Sequence, residues 1–212
     1  MSELHPTWSA PPSEWYLPST DVHIWQASLQ VTARQQERFT QMLSADEMVR
    51  ATRFHFPQHR EHYIAGRGLL REILSRYQNC LPEAIRFSYN SFGKPALLAS
   101  AGQDALQFNI SHSHGIALFA FVRGVDIGID VQHTDAVTDL LQAGAVVFST
   151  DEMEVLRALP PERRRARFFQ FWTRKEAYIK AVGGGFSLPL NGIDVSRLPA
   201  GRVWQADSPG AQ

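Results

Sequence analysis

Three short stretches of the 212-residue chain carry side chains whose types and spacing could do chemistry. The first is Gly124-Val125-Asp126-Ile127-Gly128-Ile129-Asp130-Val131-Gln132. Strict alternation predicts a strand with Val125, Ile127, Ile129 and Val131 on one face and Asp126, Asp130 and Gln132 on the other. Residues two apart on a strand stand roughly 7 Å apart. Asp130 and Gln132 can therefore offer oxygens to one hard cation, with water and phosphate in the remaining positions. A half-exposed strand with a merely hydrated polar face fits the same residues, and by itself this segment favours that plainer reading.

The second stretch is Phe171-Trp172-Thr173-Arg174-Lys175-Glu176-Ala177-Tyr178-Ile179-Lys180. On a helix Trp172, Glu176 and Lys180 follow i, i+4, i+8 and lie along one side. A carboxylate beside an ammonium can bind a metal or take a proton while the lysine meets phosphate. A surface Glu–Lys pair worth only a few tenths of a kcal/mol fits equally well. The third stretch, Phe108-Asn109-Ile110-Ser111-His112-Ser113-His114-Gly115, reads as a polar turn after an apolar strand, with hydroxyl, amide and imidazole groups suited to phosphate oxygens. His112 and His114 lack a third ligand at a usual zinc spacing.

The elements that must position these residues repeat along the chain. Asp21-Val22-His23-Ile24-Trp25 resembles Asp126-Ile127-Gly128-Ile129-Asp130 at an offset of 105 residues. The same offset lays Leu43-Ser44-Ala45-Asp46-Glu47-Met48 over Phe148-Ser149-Thr150-Asp151-Glu152-Met153, and Tyr63-Ile64 over Phe168-Phe169. Three blocks in one register predict two copies of one unit, packed about a pseudo-twofold axis with a cleft between them. Each unit reads as a strand, a helix start, a long helix and a return to strands. Ser44 and Ser149 are N-cap candidates, each with a glutamate three residues on. Apolar periodicity predicts long helices over 59–75 and 165–182, the second stopped by Gly183-Gly184-Gly185. Strands 108–110 and 116–122 form a hairpin, and 125–131 is the next strand. The fold class is α+β with antiparallel sheets. The counterpart of the 108–122 hairpin would begin near 213, beyond Gln212, so either that hairpin is missing from the end of this sequence or the second unit does without it.

Composition permits much and excludes some things. Lys+Arg and Asp+Glu are both 21, which gives no argument for nucleic acid or an acidic membrane as partner. The single cysteine, Cys80, rules out an internal disulfide framework and a thiolate metal cluster. Residues 1–13 lack signal-peptide order and no apolar run reaches spanning length, so a cytoplasmic protein is expected. No Gly-x-x-x-x-Gly-Lys-Ser/Thr loop appears, which disfavours a P-loop nucleotide enzyme.

The order of the motifs decides more than any one of them. A Gly-Ile-Asp strand at 128–130 and Trp-x-x-Lys-Glu-Ala at 172–177 follow Asn-x-Ser-His at 109–112. Phe92-Gly93-Lys94-Pro95 comes before them and Gly185-Phe186-Ser187-Leu188-Pro189 after. This order resembles the Sfp-type 4′-phosphopantetheinyl transferases of the holo-acyl-carrier-protein synthase superfamily, over about residues 22–190. The resemblance implies two similar α+β subdomains, 1–105 and 106–212, with the 106–122 hairpin packing on the first. It implies coenzyme A as substrate, Mg²⁺ as cofactor and an apo carrier protein as partner, with a complete site in a monomer. Asp130 and Glu176 would ligate the metal, and Glu176, directly or through a metal-bound water, would take the proton of the carrier serine. Lys180 would hold the pyrophosphate. Arg50 and Arg53 match residues that receive the 3′-phosphate. Lys94, Pro95, Asn109, Ser111 and His112 match residues that line the nucleotide. Many relatives have glutamate at the position of Gln132, whose neutral amide is a weaker ligand for a hard cation. Arg157, Arg163, Arg164, Arg165 and Arg167, just before the catalytic helix, offer a basic surface to an acidic carrier. The rival within the same resemblance is a non-catalytic homologue that only binds coenzyme A or a carrier protein.

Overall fold

The computed structural model describes residues 8–12, 14–98, 102, 104–135, 137–185 and 188–197. The element order is β1 (His23–Ser28), α1 (Ala33–Met42), α2 (Ala45–Thr52), α3 (Pro57–Gln78), β2 (Phe87–Tyr89), β3 (Pro95–Leu97), β4 (Leu106–Ser113), β5 (Ile116–Arg123), α4 (Leu140–Val147), α5 (Thr150–Ala158) and α6 (Pro161–Val182), with 3₁₀ turns at Pro82–Ala84 and Leu190–Gly192. The protein is α+β with antiparallel sheets and six α-helices. A three-stranded sheet has the order β1-β5-β4, and β2 pairs with β3.

Helix order repeats down the chain: two short helices and a 22-residue helix, twice. Both predicted capping boxes form, Ser44 with Glu47 and Ser149 with Glu152. Each capping glutamate is also buried and stapled to a cation on its long helix. Glu47, 1 % exposed, meets Arg71 at 2.7 Å and Arg67 at 2.5 Å. Glu152, fully buried, meets Lys175 at 2.7 Å. The cations spend their remaining donors on the segments that follow. Arg71 donates to the Pro82 and Ile85 carbonyls, and Lys175 to those of Leu190 and Ile193. Burying such charges is costly unless every donor and acceptor is matched, and here each staple ties a helix start, a long helix and the returning chain together. α6 ends at Gly183, which takes the left-handed φ of +71° that a side chain disfavours.

The third stretch differs from expectation. Asn109 to Ser113 belongs to strand β4, and the turn is only His114-Gly115, with φ of +47° and +79°. Positive φ at both central residues suits a two-residue hairpin turn. The β4–β5 hairpin pairs with β1, and Phe108, Phe119 and Phe121 join a core with Leu70 and Leu74 of α3. The opposite face of the sheet carries Asn109, Ser111, Ala120 and Val122.

The 125–131 segment is a second correction: it is not a strand. Its backbone is held by side chains instead of a main-chain ladder. The N–H groups of Ile129, Val131 and His133 donate to Asn109 Oδ1, Ser111 Oγ and Ser113 Oγ at 2.9, 3.2 and 3.0 Å. Alternate residues of β4 thus grip alternate residues of the segment, while Ile127 and Ile129 pack on Ala120 and Val122. Among the described residues both sheets arise from positions 23–123. The return to strands expected after the second long helix does not appear among the described residues that follow it, 183–185 and 188–197.

Candidate active site

Segment 127–131 lies between the sheet and α6. Gly128 makes that approach possible, since a Cβ there would fall 1.8 Å from the Ala177 carbonyl oxygen and 2.5 Å from the Ala181 nitrogen. Two residues further on, Asp130 reaches the stripe that α6 presents. Trp172, Glu176 and Lys180 line a cleft of about 440 Å³ with Asp130, Ser111 and His112, and Ile110, Val131 and Gln132 complete its wall. The helical spacing of the second stretch therefore serves the cleft. A second hollow, of about 480 Å³, is lined only by α1 side chains such as Arg34 and Arg38, and no convergent functional groups meet there.

Inside the cleft the polar groups form a closed triangle. Lys180 Nζ donates to Asp130 Oδ1 at 2.5 Å and to Ser111 Oγ at 2.9 Å, and Ser111 donates to the same Asp130 oxygen at 2.8 Å. With the Val131 N–H also on it, the Ser111 hydroxyl uses its one donor and both acceptor sites. Two buried oxygens are left over, Asp130 Oδ2 and Glu176 Oε1, neither with a hydrogen-bond partner. Unmatched buried carboxylate oxygens are costly, and hard oxygens facing one cleft are what a magnesium-type cation takes. The donor set fits such a cation. Burial, and then the neighbouring Asp130 charge, push the Glu176 carboxyl above its ordinary value, with Lys180 opposing. His112 is exposed at its outer edge, yet the surrounding protein strips enough water from it to hold its imidazole below the ordinary value. Lys180, His62 and His59 act in the same direction. His59 and His62, at the start of α3, carried no signal in the spacing. The fold alone brings them toward His112.

The remaining predicted residues lie elsewhere. Asn109 is buried and committed to Ile129. Lys94 Nζ donates to the Ala181 carbonyl at 2.6 Å, with Asp126 at 3.4 Å, so it sits at the end of α6 and outside the cleft wall. Pro95 opens β3 opposite Tyr89. Arg50 and Arg53 are exposed, Arg50 with its guanidinium over Tyr63. Lys175 points away from the cleft into its staple with Glu152. In the basic run, Arg164 is tied to the Leu159 and Arg157 carbonyls, Arg165 to that of Thr134, and Arg167 lies over Phe171, while Arg163 is exposed.

Two family models divide the chain between them. Residues 25–122 match the N-terminal model of 4′-phosphopantetheinyl transferases, and residues 126–211 match the 4′-phosphopantetheinyl transferase superfamily. The chain is 40 % identical to the 4′-phosphopantetheinyl transferase HetI of Nostoc sp. strain PCC 7120 over 196 residues, 92 % of this chain and 82 % of that protein. The chain belongs to the 4′-phosphopantetheinyl transferase family. It is also 31 % identical to the transferase Sfp of Bacillus subtilis strain 168, over 82 % of this chain and 75 % of that protein. Identity to the transferase AcpT of Escherichia coli O157:H7 is 37 %, over 67 % of this chain and 69 % of that protein. Membership of the phosphopantetheinyl transferases gives the cleft its chemical context: an enzyme whose polar groups converge where the two matched regions meet.

Proposed function

We propose that the protein transfers the 4′-phosphopantetheine arm of coenzyme A to a serine of an apo carrier protein in a Mg²⁺-dependent reaction that releases 3′,5′-ADP. One observation carries this reading: Asp130, Glu176 and Lys180 share one cleft, in a chain of this family, with two buried carboxylate oxygens unpartnered.

The serine oxygen forms a bond to the phosphorus that bears pantetheine, and the bond from that phosphorus to the bridging oxygen of 3′,5′-ADP breaks. Such transfers need charge neutralisation and alignment more than covalent help from the protein. Asp130 and Glu176 would hold Mg²⁺, with Gln132 reaching it through water, and the bound ion would supply charge neutralisation for the pyrophosphate. Glu176, which lines the cleft beside Asp130 and Lys180, takes the serine proton. Lys180, held at the cleft by Asp130 and Ser111, meets the charge that develops on the leaving group. Ser111 and His112 line the cleft beside it, which supports their assignment to the nucleotide. Arg50 and Arg53, exposed near the start of α3, are assigned to the 3′-phosphate, and Lys94, Pro95 and Asn109 to the surroundings of the nucleotide.

We also read residues 1–105 and 106–212 as subdomains related by a pseudo-twofold axis; the matched helices and doubled Glu staples support it. A cleft built from β4, segment 130–132 and α6 of one chain supports a monomeric enzyme, which we read as cytoplasmic. Incubation with Mg²⁺, coenzyme A and an apo carrier protein, followed by mass spectrometry, tests the function. A phosphopantetheine adduct on the carrier serine is expected. Binding of coenzyme A without an adduct would identify a non-catalytic homologue.

A further inference from the structure

α6 carries both Glu176 and Lys180 in its last two turns, and a turn from the other half of the chain closes its end. Asn90 begins that turn, between β2 and β3. Its amide Nδ2 donates to the Gly183 carbonyl at 2.9 Å. Its Oδ1 accepts from the N–H groups of Phe92 and Lys94 at 3.0 and 2.9 Å, and its own backbone N–H donates to the Lys94 carbonyl at 3.1 Å. One side chain therefore fixes the turn and bolts it to the helix. Lys94 adds a donor to the Ala181 carbonyl. The last carbonyls of a helix lack intrahelical partners and carry partial negative charge, so an amide N–H and an ammonium are suited to them. The fit is close. A Cβ on Gly183 would meet Asn90 Nδ2 at 3.0 Å and Lys94 Cδ at 3.2 Å, and one on Gly185 would meet Phe92 at 3.1 Å. Asn90, 93 residues before Gly183, thus holds the end of the helix on which Lys180 stands three residues earlier.

We infer that Asn90 is a positioning residue for transfer: through its bond to Gly183 it sets the place of the last turn of α6, and with it Lys180 and Glu176. The inference rests on the roles proposed above for those two residues. It also gives the Phe92-Gly93-Lys94-Pro95 and Gly183-Gly184-Gly185 motifs a shared purpose, as the two sides of one contact. A displacement of about 1 Å in such a site costs up to roughly a hundredfold in rate.

The test compares Asn90→Ala and Asn90→Asp with wild type and with the exposed Ser91→Ala control. Asn90→Asp keeps the acceptor that shapes the turn but loses the donor to Gly183 and sets a negative charge against the helix end. Both Asn90 variants are expected to lose kcat by roughly 10- to 100-fold, with a smaller change in KM for coenzyme A, and to show faster amide exchange at residues 180–185. A raised KM for coenzyme A with kcat intact would overturn the inference in favour of a substrate-binding turn. So would a normal Asn90→Asp beside a weak Asn90→Ala, or a lowered Tm with kcat per folded molecule unchanged. If the wild type transfers nothing, the proposed function fails separately, and the exchange measurement still decides whether Asn90 fixes the helix end.

Discussion

Gly128 and Ala177 approach so closely that the glycine's missing Cβ would lie 1.8 Å from the alanine's carbonyl oxygen. No side chain can move aside to make room, because the obstacle is helix backbone. The contact sets how deeply the Asp130 segment sits against α6. We predict that Gly128→Ala forces the two apart, costing about 1–3 kcal/mol of stability and up to roughly a hundredfold in transfer rate. Denaturant unfolding and a carrier-modification assay check this; a variant with wild-type kcat would show that the spacing is not critical.

Asp130 and Gln132 are expected to behave differently. Asp130 has one oxygen shared by Ser111 and Lys180 and the other unpartnered, whereas Gln132 lies at the exposed rim. Asp130→Ala and Glu176→Ala should lose nearly all activity, and Gln132→Ala should keep a substantial part. Rates measured against Mg²⁺ concentration distinguish them. Equal loss in all three would make Gln132 a direct ligand.

Lys175 sits next to Glu176 in sequence, but its effect should be on stability. Lys175→Met leaves Glu152 buried without its cation, a loss of roughly 3–5 kcal/mol. Adding Glu152→Gln should recover part of it. Urea midpoints of the single and double variants measure the coupling, and additive losses would mean the pair is not a unit.

Glu47 makes stability depend on pH. Burial alone would raise its carboxyl, but the Arg67 charge, the Ser44 N–H and Arg71 overcome this and hold it below its ordinary value of 4.5. Its folded pKa lies below its unfolded one, so its contribution is complete above about pH 4.5 and is lost as pH falls through the depressed value. Unfolding free energies measured downward from pH 6 should show this acid decline, and Glu47→Gln should flatten it. An unchanged slope in that variant would assign the decline to other carboxylates.

Of the arginines from the end of α5 into the first turns of α6, Arg157 and Arg163 are exposed to an acidic carrier, whereas Arg164 is engaged with backbone carbonyls. Arg163→Glu is expected to raise KM for the carrier and leave that for coenzyme A unchanged. Arg164→Glu should also lower Tm. Steady-state kinetics with each substrate varied in turn separate the two effects, and an unaltered carrier KM in Arg163→Glu would remove this arginine from the docking surface.

Much of this was legible in the sequence because periodic and capping signals are local. Helix spacing put Trp172, Glu176 and Lys180 on one stripe, and serine–glutamate spacing placed both capping boxes. What escaped depended on partners distant in sequence. Alternation alone cannot distinguish a strand bonded through its backbone from a segment gripped by Asn109, Ser111 and Ser113, since both alternate with period two. The motif around Lys94 points to the nucleotide but carries no sign of the Ala181 carbonyl that its ammonium meets 87 residues away. The arginine run likewise looked uniform until the fold showed which guanidinium groups were already taken.

The doubled staple also bears on which residue of each long helix is free of the core. At the 105-residue offset, Glu176 stands opposite Arg71, one of the two cations that anchor Glu47. In the second half the anchoring cation is one residue earlier, at Lys175. That shift by a single position keeps the scaffold and releases the next site on the helix to face the cleft.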